Sequence, residues 1–236
     1  PAALETQLEA RAAGDPTTPR RTQAGALEQR AQEREAVVAV GRPVELDLPV
    51  VLAGALDGLL AKRGTLAPNV AELAVYRRAV VAHRTGDSAR AAALLSAFRA
   101  EFPDSEAGVS ADLIAGRAYV ALERFAQAVD HLQRVVDADP PDDQLAPALL
   151  LLAEALAETQ RFDDSLRVAR RHLERFSGSD LWFRSRFSEA WAMENLGRHT
   201  EAIASYRMVA EQHEGDTAAR AQFQIGECLF AMGEHE

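Results

Sequence analysis

Apolar residues along this chain of 236 residues recur at helical spacing, and strand-like alternation is absent. From Pro68 onward the pattern predicts long apolar helices over about 69–85, 106–122, 144–159, 180–196 and 217–232. A second helix follows each of the first four after a tight turn, over about 87–101, 125–138, 162–176 and 199–213. We call the two helices of a unit A and B. Asp87, Asp163 and Thr200 suit the starts of helices B, where a side-chain oxygen satisfies a free amide. Between units stand Phe102-Pro103-Asp104-Ser105, Asp139-Pro140-Pro141-Asp142, Ser177-Gly178-Ser179-Asp180 and Glu214-Gly215-Asp216-Thr217. Each reads as a stop followed by a capping residue. Upstream, a short helical pattern around Leu4 and Leu8 ends at the breakers Gly14-Asp15-Pro16-Thr17-Thr18-Pro19. Helices are expected over about 23–40, ended by Gly41-Arg42-Pro43, and about 49–62, ended at Gly64.

The turns between A and B carry a period. Gly86, Glu123, Gln160, Gly197 and Gly233 are equivalent, at successive steps of 37, 37, 37 and 36 residues. A fixed period of this size means stacked supersecondary units. With the turn residue numbered 15, position 8 reads Ala79, Gly116, Ala153, Ala190 and Gly226. Position 20 reads Ala91, Ala128, Ser165 and Ala202, and position 24 reads Leu95, Leu132, Ala169 and Tyr206. Small residues at 8 and 20 let two helices approach closely, and the larger neighbours fill the remaining space.

A small residue at position 8, a larger residue three on at most units (Tyr119, Leu156, Met193, Leu229; Ala82 in the first) and Ala-x3-large in the second helix resemble the tetratricopeptide repeat family. The resemblance implies an all-α, right-handed α-solenoid of antiparallel helix pairs. Residues 67–236 then hold about four and a half repeats, and residues 1–66 form an N-terminal helical segment that can be read as a degenerate capping repeat. The fifth unit has a helix A without a helix B, so the chain is expected to continue past Glu236. There are departures: the family's Trp at position 4 is replaced by Val75, Asp112, Leu149, Arg186 and Gln222, and its Ala at position 27 by Phe98, Val135, His172 and Val209. The phrases Phe98-Arg99-Ala100-Glu101-Phe102-Pro103-Asp104-Ser105 and Ala221-Gln222-Phe223-Gln224-Ile225-Gly226-Glu227 resemble bacterial cell-envelope members, the outer-membrane assembly lipoproteins and the periplasmic Tol-Pal coordinator family. That resemblance favours the periplasm over the cytoplasm.

Composition narrows the class of function. A formal net charge of −10 argues against nonspecific nucleic-acid binding, which needs Lys and Arg to displace phosphate counterions. No run of 18 apolar residues exists to span a membrane. The single cysteine, Cys228, excludes an internal disulfide. Six histidines include no i,i+4 pair and no Cys/His cluster, so no metal or cofactor is expected. Glu154 and Glu158 lie one helical turn apart, but no nucleophile, phosphate loop or metal motif accompanies them, and no catalytic residue is assigned. Arg167, Arg170, Arg171 and Arg175, diluted by Asp163, Asp164 and Glu174, read as an ordinary charged outer face.

In the family that this chain resembles, helix A lines the concave face, chiefly at positions 2, 5, 6, 9, 12 and 13. Here positions 9, 12 and 13 vary in size and charge from unit to unit. They describe a groove that is basic near Arg77, Arg84 and Arg117, acidic at Glu154 and Glu158, and aromatic around Phe187, Trp191, Phe223 and Phe230. The expected partner-binding residues are Arg117, Glu154, Glu158, Arg184, Phe187, Trp191, Glu194, Phe223, Glu227 and Phe230. Trp191 and its aromatic neighbours would anchor a protein or peptide segment, with Arg117 and Arg184 pairing its acidic groups. The competing reading makes the position 5 aromatics inter-unit packing. The expected function is thus a non-catalytic interaction scaffold. The alternatives are a self-assembling scaffold and the regulatory module of a larger enzyme.

Overall fold

The computed structural model describes residues 48–233. The short helical pattern around Leu4 and Leu8, the breaker cluster after it and the predicted helix over 23–40 lie outside them. Among the described residues the chain forms ten α-helices and no strand. The first, α1 (Leu48–Leu60), is followed by a 3-10 turn at Arg63–Thr65. Helix pairs then alternate: α2 (Pro68–Arg84) with α3 (Ser88–Glu101), α4 (Gly108–Ala121) with α5 (Phe125–Asp137), and α6 (Asp142–Glu158) with α7 (Phe162–Arg175). The pair α8 (Trp182–Asn195) with α9 (His199–Gln212) follows, and α10 (Asp216–Ala231) comes last. From α2 onward each helix packs on the next in sequence, and each helix A also touches the following helix A. That connectivity is an α-solenoid of helix pairs, as the pattern predicts.

The sequence period is the period of one backbone conformation. Gly86, Glu123, Gln160, Gly197 and Gly233 all sit at left-handed φ, at 79°, 56°, 60°, 74° and 77°. In the first four turns the residue after the left-handed one donates its N–H to the carbonyl five residues back. Asp87 reaches Ala82 at 2.9 Å, Arg124 reaches Tyr119 at 2.9 Å, Arg161 reaches Leu156 at 2.8 Å and Arg198 reaches Met193 at 2.9 Å. The left-handed residue itself donates to the carbonyl three back, as Gly86 does to His83 at 3.1 Å. This is the Schellman closure, which satisfies the last free carbonyls of a helix and reverses the chain.

Position 16, just after that residue, is the N-cap of every helix B. Only Asp87 has a side-chain acceptor there, and it takes the Arg90 N–H at 3.0 Å. Asp163 and Thr200 do not cap. They stand two residues later, inside the first turns of α7 and α9, whose N-caps Arg161 and Arg198 make no side-chain cap bond. Helices α4 and α8 also begin two residues later than the pattern predicts. The Ser105 and Ser179 hydroxyls accept the N–H groups of Ala107 and Leu181, each at 3.1 Å, and these hydroxyl turns occupy the extra residues.

Between A and B the packing is small against small. Ala79, Ala153 and Ala190 at position 8, and Ala91, Ala128, Ser165 and Ala202 at position 20, are all fully buried. The Ser165 hydroxyl donates to the backbone carbonyl of Ala153 at 2.7 Å, so the two backbones nearly touch. At Gly116 the Leu132 side chain occupies the place of a Cβ, whose nearest atoms would stand at 2.5 Å. Gly226, the same position on α10, is exposed.

Junctions between units carry buried charge. Asp112, at position 4, is 2% exposed. It accepts from Arg99 Nε of α3 at 3.0 Å and Arg134 Nη1 of α5 at 2.8 Å, and it pairs with His131 Nδ1 at 2.7 Å. Glu189 of α8 is likewise buried and accepts from Arg170 of α7 and Arg186. A buried carboxylate is tolerated when paired and hydrogen-bonded in this way. At the start of the array, Asp57 of α1 accepts from Arg78 and Arg90, and the Arg78 hydrogen bond leads in holding its carboxyl below the usual range. On the outer face, Arg167 pairs with Asp164, Arg170 with Glu189, Arg171 with Asp139, and Arg175 with Asp139 and Asp142. The arginine row of α7 is thereby neutralised, mainly from neighbouring segments.

Two substitutions isolate the turn. A Cβ at Gly197 would meet no atom within 4 Å, so its replacement acts through φ alone. Gly197→Ala is expected to cost about 1–2 kcal/mol, and Gln160→Gly to stabilise by about 0.5–1 kcal/mol. Urea unfolding checks both. Changes of the same sign would contradict the assignment of the turn.

Candidate partner-binding groove

Helix spacing selects one face of each of α6, α8 and α10. Glu154 and Glu158 are one turn apart, as are Arg184, Phe187 or Ser188, and Trp191, and again Arg220 and Phe223 or Gln224. These faces meet in two adjacent cavities. One, of about 290 Å³, is lined by Val120, Phe125, Glu154, Glu158, Arg184, Ser188 and Thr217. The other, of about 550 Å³, is lined by Ala219, Phe223 and Gln224. Phe187, Trp191 and Arg220 line both.

The charges in the groove have specific partners. Arg184 grips Glu154 bidentately, with Nη2 at 2.7 Å and 2.8 Å from the two carboxylate oxygens and Nε at 3.0 Å from Oε1. Burial raises the Glu154 carboxyl above its ordinary range, and the Arg184 charge opposes that shift. The Arg220 guanidinium lies 4.9 Å from the centre of the Phe187 ring, a cation–π contact. Phe187 is 9% exposed and meets Tyr206 edge-on at 5.2 Å. The Tyr206 hydroxyl donates to Glu194 at 2.7 Å, and Gln224 donates to the same carboxylate at 3.1 Å. Burial, then Glu194, pushes the Tyr206 phenol far up.

Residues 113–180 match a tetratricopeptide repeat family model, and residues 73–105 and 185–215 match a second model of the same repeat. The chain is a tetratricopeptide repeat protein. Among solved structures, this repeat protein is similar to MamA MSR-1, with 21% identity over 70% of this chain and 88% of that one and a TM-score of 0.56. It is also similar to MamA AMB-1, with 23% identity over 71% of this chain and 85% of that one and a TM-score of 0.56. YrrB, described as a TPR protein with an unusual peptide-binding site, is 19% identical over 78% of this chain and 87% of that one, with a TM-score of 0.57. At these identities the likeness is one of fold. No curated protein matches the chain.

In this tetratricopeptide array, six of the expected binding residues come together: Glu154, Glu158, Arg184, Phe187, Trp191 and Phe223 line the two cavities. The other four line neither. Arg117 is exposed and stands with Arg84 near His83, whose pKa is lowered first by burial and then by these two cations. Glu194 is held by Tyr206 and Gln224. Glu227 and Phe230 are exposed farther along α10. One expected role changes: Arg184 is committed to Glu154, so its guanidinium is not waiting for a partner's acid. Of the position 5 residues, Leu113, Leu150 and Phe187 pack in the core, while Phe223 is 66% exposed. Sequence reasoning missed Arg220, Ser188 and Gln224. All three occupy position 2 or 6, so the rule that selected Arg184 could have found them.

Among the described residues, no group of three or more His, Cys, Asp and Glu could hold a metal ion, and no helix is long and apolar enough to cross a membrane. Cys228 is buried, and burial pushes its thiol up to about 11, leaving it protonated at neutral pH.

The bidentate pair can be tested by titration. Removing the cation in Arg184→Met should raise the Glu154 pKa further, because burial would then act with less opposition. The carboxyl carbon shift of Glu154, followed by NMR across pH, reads this directly. An unmoved midpoint would contradict the pair.

Proposed function

We propose that this tetratricopeptide repeat protein is a non-catalytic interaction module. Its groove between α6, α8 and α10 takes an exposed segment of a partner protein and buries a large apolar side chain against Trp191 and Phe223. The observation that carries this reading is the exposure of Phe223 at 66%, beside half-buried Trp191, in a cavity of about 550 Å³. Aromatic side chains held at a concave face are the usual energetic anchors of interfaces, and this repeat family's interaction role agrees with that placement. YrrB, of similar fold, is described as having a peptide-binding site, which supports the choice of ligand class.

Peptides selected from a displayed random library against the whole chain supply a probe. Trp191→Ala is expected to weaken their binding about tenfold or more while helicity by circular dichroism stays at the wild-type value. Unchanged affinity would remove Trp191 as the anchor.

A further inference from the structure

Two charges in the groove lack an ion-pair partner among the described residues, and they are carried by different helices. Arg184 and Glu154 neutralise each other. What remains in the cavity of about 290 Å³ is Glu158 on α6 and Arg220 on α10, with α8 between them. Both side chains are exposed. The Arg220 guanidinium carbon lies 4.9 Å from the centre of the Phe187 ring, and its N–H donors have no hydrogen-bond acceptor among the described residues. Phe187 and Trp191 of α8 supply the apolar surface between the two charges.

We propose that the groove reads a bipolar segment of a partner protein: a large apolar side chain flanked by a carboxylate that pairs with Arg220 and a Lys or Arg that pairs with Glu158. This rests on the groove being a peptide site, as proposed above. A segment of one sign gains at one end and meets a like charge at the other, so the pair selects both composition and direction of the bound chain. The aromatic wall supplies affinity, and the two charges set register.

Three pools of fluorescein-labelled, end-blocked peptides test this by anisotropy. Each has a central Leu, Phe or Trp. One pool has acidic residues before it and basic residues after, the second has the reverse order, and the third has Ser and Gln on both sides. One bipolar pool should bind about tenfold tighter than the other, a size fitting two exposed charge pairs gained against two repelled. The double variant Glu158→Lys, Arg220→Glu should invert that order, and it replaces exposed side chains only. Equal binding of the two bipolar pools, or an order that the double variant leaves unmoved, overturns the proposal. If the neutral pool binds as well as the better bipolar pool and Trp191→Ala abolishes that binding, the groove stands and the bipolar reading fails. If no pool binds the folded protein, both readings fail.

Discussion

The contact on which this structure depends is the near approach of two helix backbones, which small residues at positions 8 and 20 allow. Ala79, Gly116, Ala153 and Ala190 on helices A and Ala91, Ala128, Ser165 and Ala202 on helices B are all buried. The hydrogen bond from the Ser165 side chain to the Ala153 carbonyl, and the Leu132 side chain seated where Gly116 has no Cβ, measure how close that approach is. Larger residues at position 24, from Leu95 and Leu132 to Tyr206, then fill what the small ones leave open. The left-handed turn residue makes the contact possible, because it returns the chain against the helix just finished within two residues. Repetition of this one contact sets the helices A side by side, and that row is the wall of the groove.

Charge plays a second role, at the junctions between units. Asp112 draws Arg99 from the preceding unit and His131 and Arg134 from its own, and Glu189 draws Arg170 across the next junction but one. Glu154 and Arg184 belong to the same class of contact, since they join α6 to α8. The groove floor is thus built from inter-unit pairing. Breaking one partner of such a pair strands a charge, which is costly in proportion to burial. Trp191, Phe223, Glu158 and Arg220 are different: each keeps surface in the groove that intramolecular packing does not consume.

Much of the fold was legible because the signals are local. A residue able to adopt left-handed φ every 36 or 37 positions, and small residues at fixed offsets from it, describe a turn and a helix contact within one unit. Glu123 and Gln160 show that glycine is not required there, only that its absence has a cost. The helix starts were less legible. Asp163 and Thr200 look like caps, yet the turn geometry fixes the cap at position 16, where Arg161 and Arg198 stand. The groove was legible in part as a row of variable positions, which holds Glu154 and Trp191 at position 9, while Phe187 and Phe223 come from position 5, which is large in every unit. Pairing between units was not. Arg184 meets Glu154 thirty residues away, and Glu194 meets Tyr206 and Gln224. A one-dimensional period gives each side chain's face and says nothing of which neighbour's charge arrives opposite it.

The row of helices A, and not the helix B face, is the surface proposed to receive the partner. Site-specific photo-crosslinking distinguishes the two, because each face offers an exposed apolar position: Phe223 on α10 and Met208 on α9. With p-benzoylphenylalanine at either site and a library-selected peptide bound, irradiation should attach the peptide through position 223 and leave position 208 unlinked. Attachment through position 208 with none through position 223 would contradict the account.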